Sequence, residues 1–130
     1  MSNPISAYLG IHASALPLRE ERLKLLASNL SNVDTPGYKA RDLDFEAALR
    51  AADRPPAATV ATDERHFAIS AGGQPPFVFE RAVAQPSLDG NTVDPDMERA
   101  AYGRAALEYR ASLSFLESKV KNLLTAITGQ

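Results

Sequence analysis

The chain contains no cysteine and no tryptophan. Disulfides and thiolate metal sites are therefore excluded. The lack of cysteine suits an oxidising compartment such as the periplasm, although small cytosolic proteins can share it. Two histidines, His12 and His66, stand far apart without a metal-ligand spacing. No stretch approaches the ~18 consecutive apolar residues of a membrane span, so direct membrane insertion is not expected. The opening Met1-Ser2-Asn3-Pro4-Ile5-Ser6-Ala7-Tyr8 has neither a basic segment nor a continuous apolar one, and no secretory signal is expected there. With 14 basic and 16 acidic residues, net charge −2, the clustered basic face that nucleic acid requires is missing. A Gly-rich phosphate loop and a nucleophile elbow are also missing. The acidic residues fall mostly on helical stretches and read as solvated faces. No catalytic, cofactor-binding or metal-binding residue is assigned, no cofactor is implied, and an enzyme is not expected.

What is present is helical periodicity at both ends. The length of 130 residues and the 45% hydrophobic content fit one globular unit. Its pattern divides into 1–34, 35–93 and 94–130. In the first part Leu9, Leu16, Leu23 and Leu30 recur at seven-residue spacing, with Leu26 and Val33 beside them, which predicts a helix from about Asn3 to Val33. Asn3-Pro4 suits its start, and Pro17 is expected to kink it by removing a backbone donor.

The middle part carries Pro36, Pro55-Pro56, Pro75-Pro76 and Pro86, with Gly37, Gly72-Gly73 and Gly90, all turn markers. His66–Ser70 and Phe77–Arg81 alternate as short strands do, and Arg41–Ala52 reads as a short helix. In the last part Asp94 suits an N-cap and Pro95 the first helical position. Asp96 and Glu98 then place negative charge where the helix dipole favours it. Tyr102, Ala106, Tyr109, Leu113, Leu116, Val120, Leu123 and Ile127 alternate at spacings of four and three, a coiled-coil seam, and Gly129 suits the stop. The fold class is mainly α: long terminal helices paired as a coiled-coil-like bundle, with a small irregular or β-containing middle.

A helix from Pro95 to Ile127 would be ~50 Å long, whereas a compact globule of this length has a radius of gyration of ~14 Å and a diameter of ~36 Å. The molecule should be elongated. The N-terminal helix also carries a second apolar line, Ile11, Leu18 and Leu25, ~200° around from the first. Apolar lines on opposing faces imply burial on more than one side. Either neighbouring subunits cover the second line, or the middle region folds back over it.

At the end of the first helix stand Asn29 and Asn32, one turn apart. As buried amides they could fix register between subunits; as caps they would simply end the helix. Asn29-Leu30-Ser31 also fits a glycosylation sequon, which carries little weight on a helical face. Thr35-Pro36-Gly37-Tyr38 is a turn by its chemistry, and Asp89-Gly90-Asn91 is another.

The run Leu26-Ala27-Ser28-Asn29-Leu30-Ser31-Asn32-Val33-Asp34-Thr35-Pro36-Gly37-Tyr38-Lys39 resembles the N-terminal signature of the flagellar axial proteins, which build the bacterial rod and hook. Ala40-Arg41-Asp42-Leu43-Asp44-Phe45 and Asp89-Gly90-Asn91-Thr92-Val93-Asp94 narrow the resemblance to the basal-body rod proteins. It implies a structural subunit of the proximal rod that passes motor torque across the periplasm. Its terminal helices would form the inner tube with copies of itself and other rod proteins. The resemblance also implies contact with the rod-base adaptor and MS ring, and exit through the flagellar type III export apparatus without a cleaved signal. Asn29, Asn32, Thr35, Pro36, Gly37 and Tyr38 would form the assembly motif. A sister rod protein, or a soluble helical adaptor or export chaperone using the same stripes, are the rival readings.

Overall fold

The computed structural model describes residues 4–53, 77–83 and 87–129. The expected strand His66–Ser70 lies outside them. The elements in chain order are α1 (Pro4–Leu9), α2 (Ile11–Ser31), β1 (Arg41–Leu43), α3 (Phe45–Asp53), β2 (Val78–Glu80) and α4 (Pro95–Thr128).

Helices α2 and α4 form an antiparallel hairpin. His12 near the start of α2 stacks on Phe115 at 5.1 Å, Arg19 bonds Ser112 and Glu108 at 2.8 Å each, and Asn29 near the end of α2 meets Glu98 in the first turn of α4. Helix α4 starts as its sequence dictates. The Asp94 carboxylate accepts from the amides of Asp96 and Met97 at 3.0 and 3.2 Å, and Pro95 follows at the first helical position. It stops at Gly129, which takes the left-handed conformation (φ 71°) and donates its N–H to Thr125 O. Its 34 residues make a rod of ~51 Å.

The contact face of α4 differs from the expected seam. The buried residues are Glu98, Ala105 and Ser112, spaced by seven. Tyr102, Leu113, Val120 and Ile127 remain exposed. Tyr109, Leu116 and Leu123 are half-buried. On a helix of ~100° per residue, Tyr102 lies ~40° round from Glu98, so the large apolar line is turned off the intramolecular axis. The physical reason is what α2 presents at the contact: the Arg19 guanidinium and the Asn29 amide need a carboxylate and small side chains opposite them, not leucines.

On α2, Leu26 and Asn29 are fully covered, and Ala15 and Leu25 nearly so. The expected line Leu9, Leu16, Leu23, Leu30 is half-buried throughout. The opposing line is covered from inside the chain: Leu25 forms a core with Leu43 of β1 and Ala48 of α3, and Leu18, Phe45, Phe77 and Val78 pack on it. The middle region thus folds back over Leu18 and Leu25, while Ile11 stays 51% exposed.

Two expected boundaries move. Helix α2 runs through Pro17, and the break in the N-terminal helix falls at Gly10, with φ 62° and ψ −152°. Proline removes one hydrogen bond but holds a helical φ; Gly10 sits in a region that in effect only glycine enters. Arg41–Leu43 is a strand, not the start of a helix. It pairs antiparallel with β2 in the register Arg41↔Glu80, Asp42↔Phe79, Leu43↔Val78. Bonds from Asp44 N to Phe77 O and from Arg81 N to Ala40 O, both 2.8 Å, extend the ladder at its two ends. Helix α3 begins only at Phe45 because Asp44 caps it, accepting from Ala47 N at its carboxylate and from Ala48 N at its carbonyl.

Candidate functional site

The helix end that carries Asn29 to Tyr38 folds into a knot with the segment that opens α4. Thr35-Pro36-Gly37-Tyr38 is a turn closed by Tyr38 N donating to Thr35 O (3.3 Å). Pro36 takes the second position and Gly37, at φ 73°, the third, the arrangement of a type II turn. Asn32 is the C-cap of α2. It caps without a left-handed backbone (φ −108°): its side-chain Nδ2 donates to Ser28 O at 2.8 Å, and its Oδ1 accepts from the Thr35 hydroxyl.

Across from this turn lies Asp89-Gly90-Asn91. Gly37 N donates to Asp89 O (2.9 Å), and Thr92 N donates to Tyr38 O (3.0 Å). Ala40 N donates to the Thr92 hydroxyl and Lys39 Nζ to Gly90 O. A Cβ on Gly90 would stand 3.7 Å from Gly37 Cα, so two left-handed glycines lie back to back. Asn91 is the clasp. Its buried amide nitrogen lies 2.8–2.9 Å from the carbonyls of Asn32, Val33 and Thr35, and its Oδ1 accepts from Val93 N. The two sequence runs read as separate turns are one structure.

Beneath the knot is a buried polar relay. Asn29 is wholly excluded from solvent. Its Nδ2 donates to Arg41 O (2.7 Å) and to Glu98 Oε2 (3.1 Å). Its Oδ1 accepts from Arg41 N (3.0 Å) and from the Tyr38 hydroxyl (3.3 Å). One amide therefore fastens α2, β1, the turn and α4 together, and all its partners lie in its own chain. Glu98, 1% exposed, also accepts from Arg81 Nη1. The same guanidinium donates through Nη2 to Asp42 Oδ2 (2.7 Å), and Arg22 Nε donates to Asp42 Oδ1 (3.0 Å). Burial pushes the Asp42 carboxyl up, but Arg22, Arg81 and the Leu43 amide outweigh it and hold it below the usual aspartate range.

Asn91, Glu98, Arg81, Asp42 and Arg22 carry the knot and the relay. From the sequence Asn91 reads as part of a turn, Glu98 as a helix-dipole charge, Arg81 as the end of a short strand and Asp42 as a member of the run 40–45, none of them as a buried partner. No periodicity flags an arginine on a short strand; the usable signal was a charged Glu98 and a polar Ser112 on the same helical line as Ala105. Among the described residues no group of His, Asp or Glu could hold a metal ion, and no helix is long and apolar enough to cross a membrane. What the arrangement does is mechanical: it fixes the angle and register of two long helices at one end.

Away from their mutual contact face the helices are bare. Of the large apolar side chains among the described residues, Leu25, Leu26 and Leu43 are buried. By contrast, Tyr8, Ile11, Tyr102, Leu107, Leu113, Phe115, Val120, Leu124 and Ile127 are all at least 36% exposed.

A hairpin locked at one end and apolar along its outer edges defines a helical subunit built to pack against others. The profile of the family described as "Flagella basal body rod protein" matches residues 9–39. The chain is 44% identical over 123 residues to the flagellar basal body rod protein FlgB of Aeromonas hydrophila, covering 93% of this chain and 92% of that protein. It is 38% identical over 134 residues to FlgB of Escherichia coli K12, covering 98% and 97%. With FlgB of Salmonella typhimurium LT2 the figure is 36% over 136 residues, covering 99% of both. The chain belongs to the FlgB family of flagellar basal body rod proteins.

Proposed function

We infer that this chain is a non-enzymatic subunit of the proximal rod, and that its terminal segments, 1–34 and 94–130, act as one axial unit carrying the middle region 35–93. The observation that carries this is the imbalance, among the described residues, between three buried leucines and the long exposed apolar edge of α4. Such an edge is stable in water only when something covers it, and a rod subunit is covered by its neighbours. In this reading Asn29, Asn32, Thr35, Pro36, Gly37 and Tyr38 set the hairpin's geometry so that its edges meet a neighbour in register. Tyr102, Leu113, Val120 and Ile127 supply lateral contacts between subunits; Leu9, Leu16, Leu23, Leu26, Leu30, Tyr109, Leu116 and Leu123 divide between the hairpin and its border. Copies of this chain and other rod proteins are the partners, with the rod-base adaptor and MS ring at its inner end. Export runs through the flagellar type III apparatus without a cleaved signal, and the rod passes motor torque across the periplasm.

Val120→Asp tests this. The side chain is exposed in the single subunit, so the urea midpoint of the isolated variant should stay within ~0.5 kcal/mol of the parent. A charge buried between subunits should abolish rod assembly and motility. Normal basal bodies containing the variant, seen by electron cryo-microscopy, would count against the reading. Absence of the parent chain itself from purified basal bodies would favour a soluble adaptor or export chaperone.

A further inference from the structure

Leu88 is the most exposed large apolar side chain among the described residues, at 111% of its reference area. A lone exposed leucine is ordinary on a protein surface; one held rigidly in place asks for a reason. Leu88 sits at the tip of the turn Ser87–Gly90, closed by Gly90 N donating to Ser87 O at 3.2 Å. The Ser87 hydroxyl bonds Asp89 Oδ1 and Asn91 O. Asn91 N donates to the same Asp89 oxygen at 3.0 Å, and Gly37 N donates to Asp89 O. The knot thus fixes the backbone on both sides of Leu88 and leaves its side chain in solvent.

Beside the turn lies a cleft of about 630 Å³. One leucine truncated in a core leaves roughly 150 Å³, so the cleft admits a leucine together with the turn behind it. Val83 and Met97 line it and are 44% and 60% exposed; Val93 is half-buried on its wall. Asn91 and Glu98 lie at its base, both buried and bonded within the chain. The cleft therefore offers apolar contact at its mouth and demands no hydrogen bond from what enters. Leu88 does not fill it: the adjoining Ser87 is part of the wall, and Leu88 faces water. The charges beside the two features are opposite. Lys39 Nζ stands by the Leu88 turn, bonded to Gly90 O at 2.9 Å. Asp94 is exposed at the cleft's edge. Its Oδ1 caps α4, and its Oδ2 has no partner among the described residues.

We propose that Leu88 is a docking knob that seats between Val83 and Met97 of a second copy of this chain, with Lys39 beside it meeting that copy's Asp94. The seated copy keeps its own knob free for a third, so the contact is of the heterologous kind that propagates along an assembly. The proposal rests on the rod-subunit reading and adds, at the knotted end of the hairpin, a contact separate from the α4 edge.

The chain has no cysteine, so single introduced cysteines report pairs of copies without ambiguity. Two differently tagged full-length chains, Leu88→Cys and Met97→Cys, are mixed at high concentration and oxidised with copper phenanthroline. Their mixed disulfide should form at least about tenfold faster than that between Leu88→Cys and Glu117→Cys, an exposed position farther along α4. Equal rates overturn the proposal, as does a Leu88→Cys homodimer that forms as fast as the mixed pair. Leu88→Ser should leave the urea midpoint of the isolated chain unmoved and reduce its amount in purified basal bodies by about tenfold or more. Normal incorporation of Leu88→Ser overturns the proposal; a lowered midpoint does so too, because it assigns the leucine to its own chain's fold. Absence of the parent chain from basal bodies strikes instead at the rod-subunit reading, and the disulfide between purified copies still decides the contact.

Discussion

At the scale of single residues, stability is concentrated where polar atoms are buried, not where large apolar ones are. Among the described residues, four of the seven buried apolar ones are alanines (Ala15, Ala40, Ala48 and Ala105), which bring little burial energy each. The fully buried Asn29 and nearly buried Asp42, Asn91 and Glu98 carry the specificity instead. No buried side-chain polar atom among the described residues lacks a hydrogen-bond partner, so removing one member strands several others. Asn29→Leu leaves the Arg41 amide, its carbonyl and one Glu98 oxygen without their bonds. We expect a loss of about 3 kcal/mol, measured as the shift in the urea midpoint at constant m-value. Asp42 gives a pH signature. Its folded pKa lies below the unfolded value, which is ~3.9. The stability it contributes is therefore complete above the unfolded pKa and is lost as pH falls through the folded one. Asp42→Asn should cost about 2 kcal/mol at pH 7 and flatten the acid limb of a stability–pH curve below about pH 4. An acid limb identical to the parent's would show that the Arg22–Asp42–Arg81 bridge does not act in solution.

At the scale of elements, each helix has one feature that its local chemistry explains and one that it does not. Pro17 lies within α2 and leaves Ala13 O without its usual partner, yet the helix passes through it. Pro17→Ala restores a donor at an exposed position and should stabilise the isolated subunit by about 1–3 kcal/mol, read from the thermal midpoint; a lower midpoint would mean that the proline sets a bend the hairpin needs. Local signals were legible wherever one residue decides the backbone. Asp94, Pro95 and Gly129 bound α4 as their chemistry demands, and Pro36-Gly37 makes the turn it spells. Val78–Glu80 lies inside a run that alternates as a strand does. Three features were not legible, each for a physical reason. Arg41–Leu43 has helical-looking spacing, but Asp44 caps the next helix and the strand is bonded from β2, which lies 35 residues away or more in sequence. The face by which α4 meets α2 was masked because apolar periodicity reports every face that avoids water, including those a neighbour would cover, while the actual contact runs over Glu98, Ala105 and Ser112. The helix break at Gly10 was overshadowed by Pro17, since a left-handed glycine is visible only in the backbone.

At the scale of the whole molecule, cohesion is graded along the hairpin. One end holds the Gly37–Asp89 and Tyr38–Thr92 backbone bonds, the Asn91 clasp and the Asn29–Glu98–Arg81–Asp42 relay. Toward the other end the covered positions run out: on α4 the last buried residue is Ser112, and from Leu113 to Gly129 every described residue is exposed or half-buried. Beyond that point α4 is held by the His12–Phe115 stack and the Lys119–Tyr8 contact, and an isolated helix of such length has marginal stability in water. Amide exchange in the dilute subunit should therefore follow position, not secondary structure. Amides near Leu26 and Ala105 should exchange only through global unfolding, while those from Val120 onward should exchange at least about a hundredfold faster despite lying in the same helix. If the gradient comes from missing neighbours, it should vanish when the chain is packed in a rod, where the Val120–Ile127 edge is desolvated and the terminal turns are as protected as the knot. Uniform protection along α4 in the dilute monomer would show that one copy hides its own edges, and would remove the reason for reading them as contacts between subunits. A gradient that persists unchanged in purified basal bodies would assign the tube wall to some other face of the hairpin.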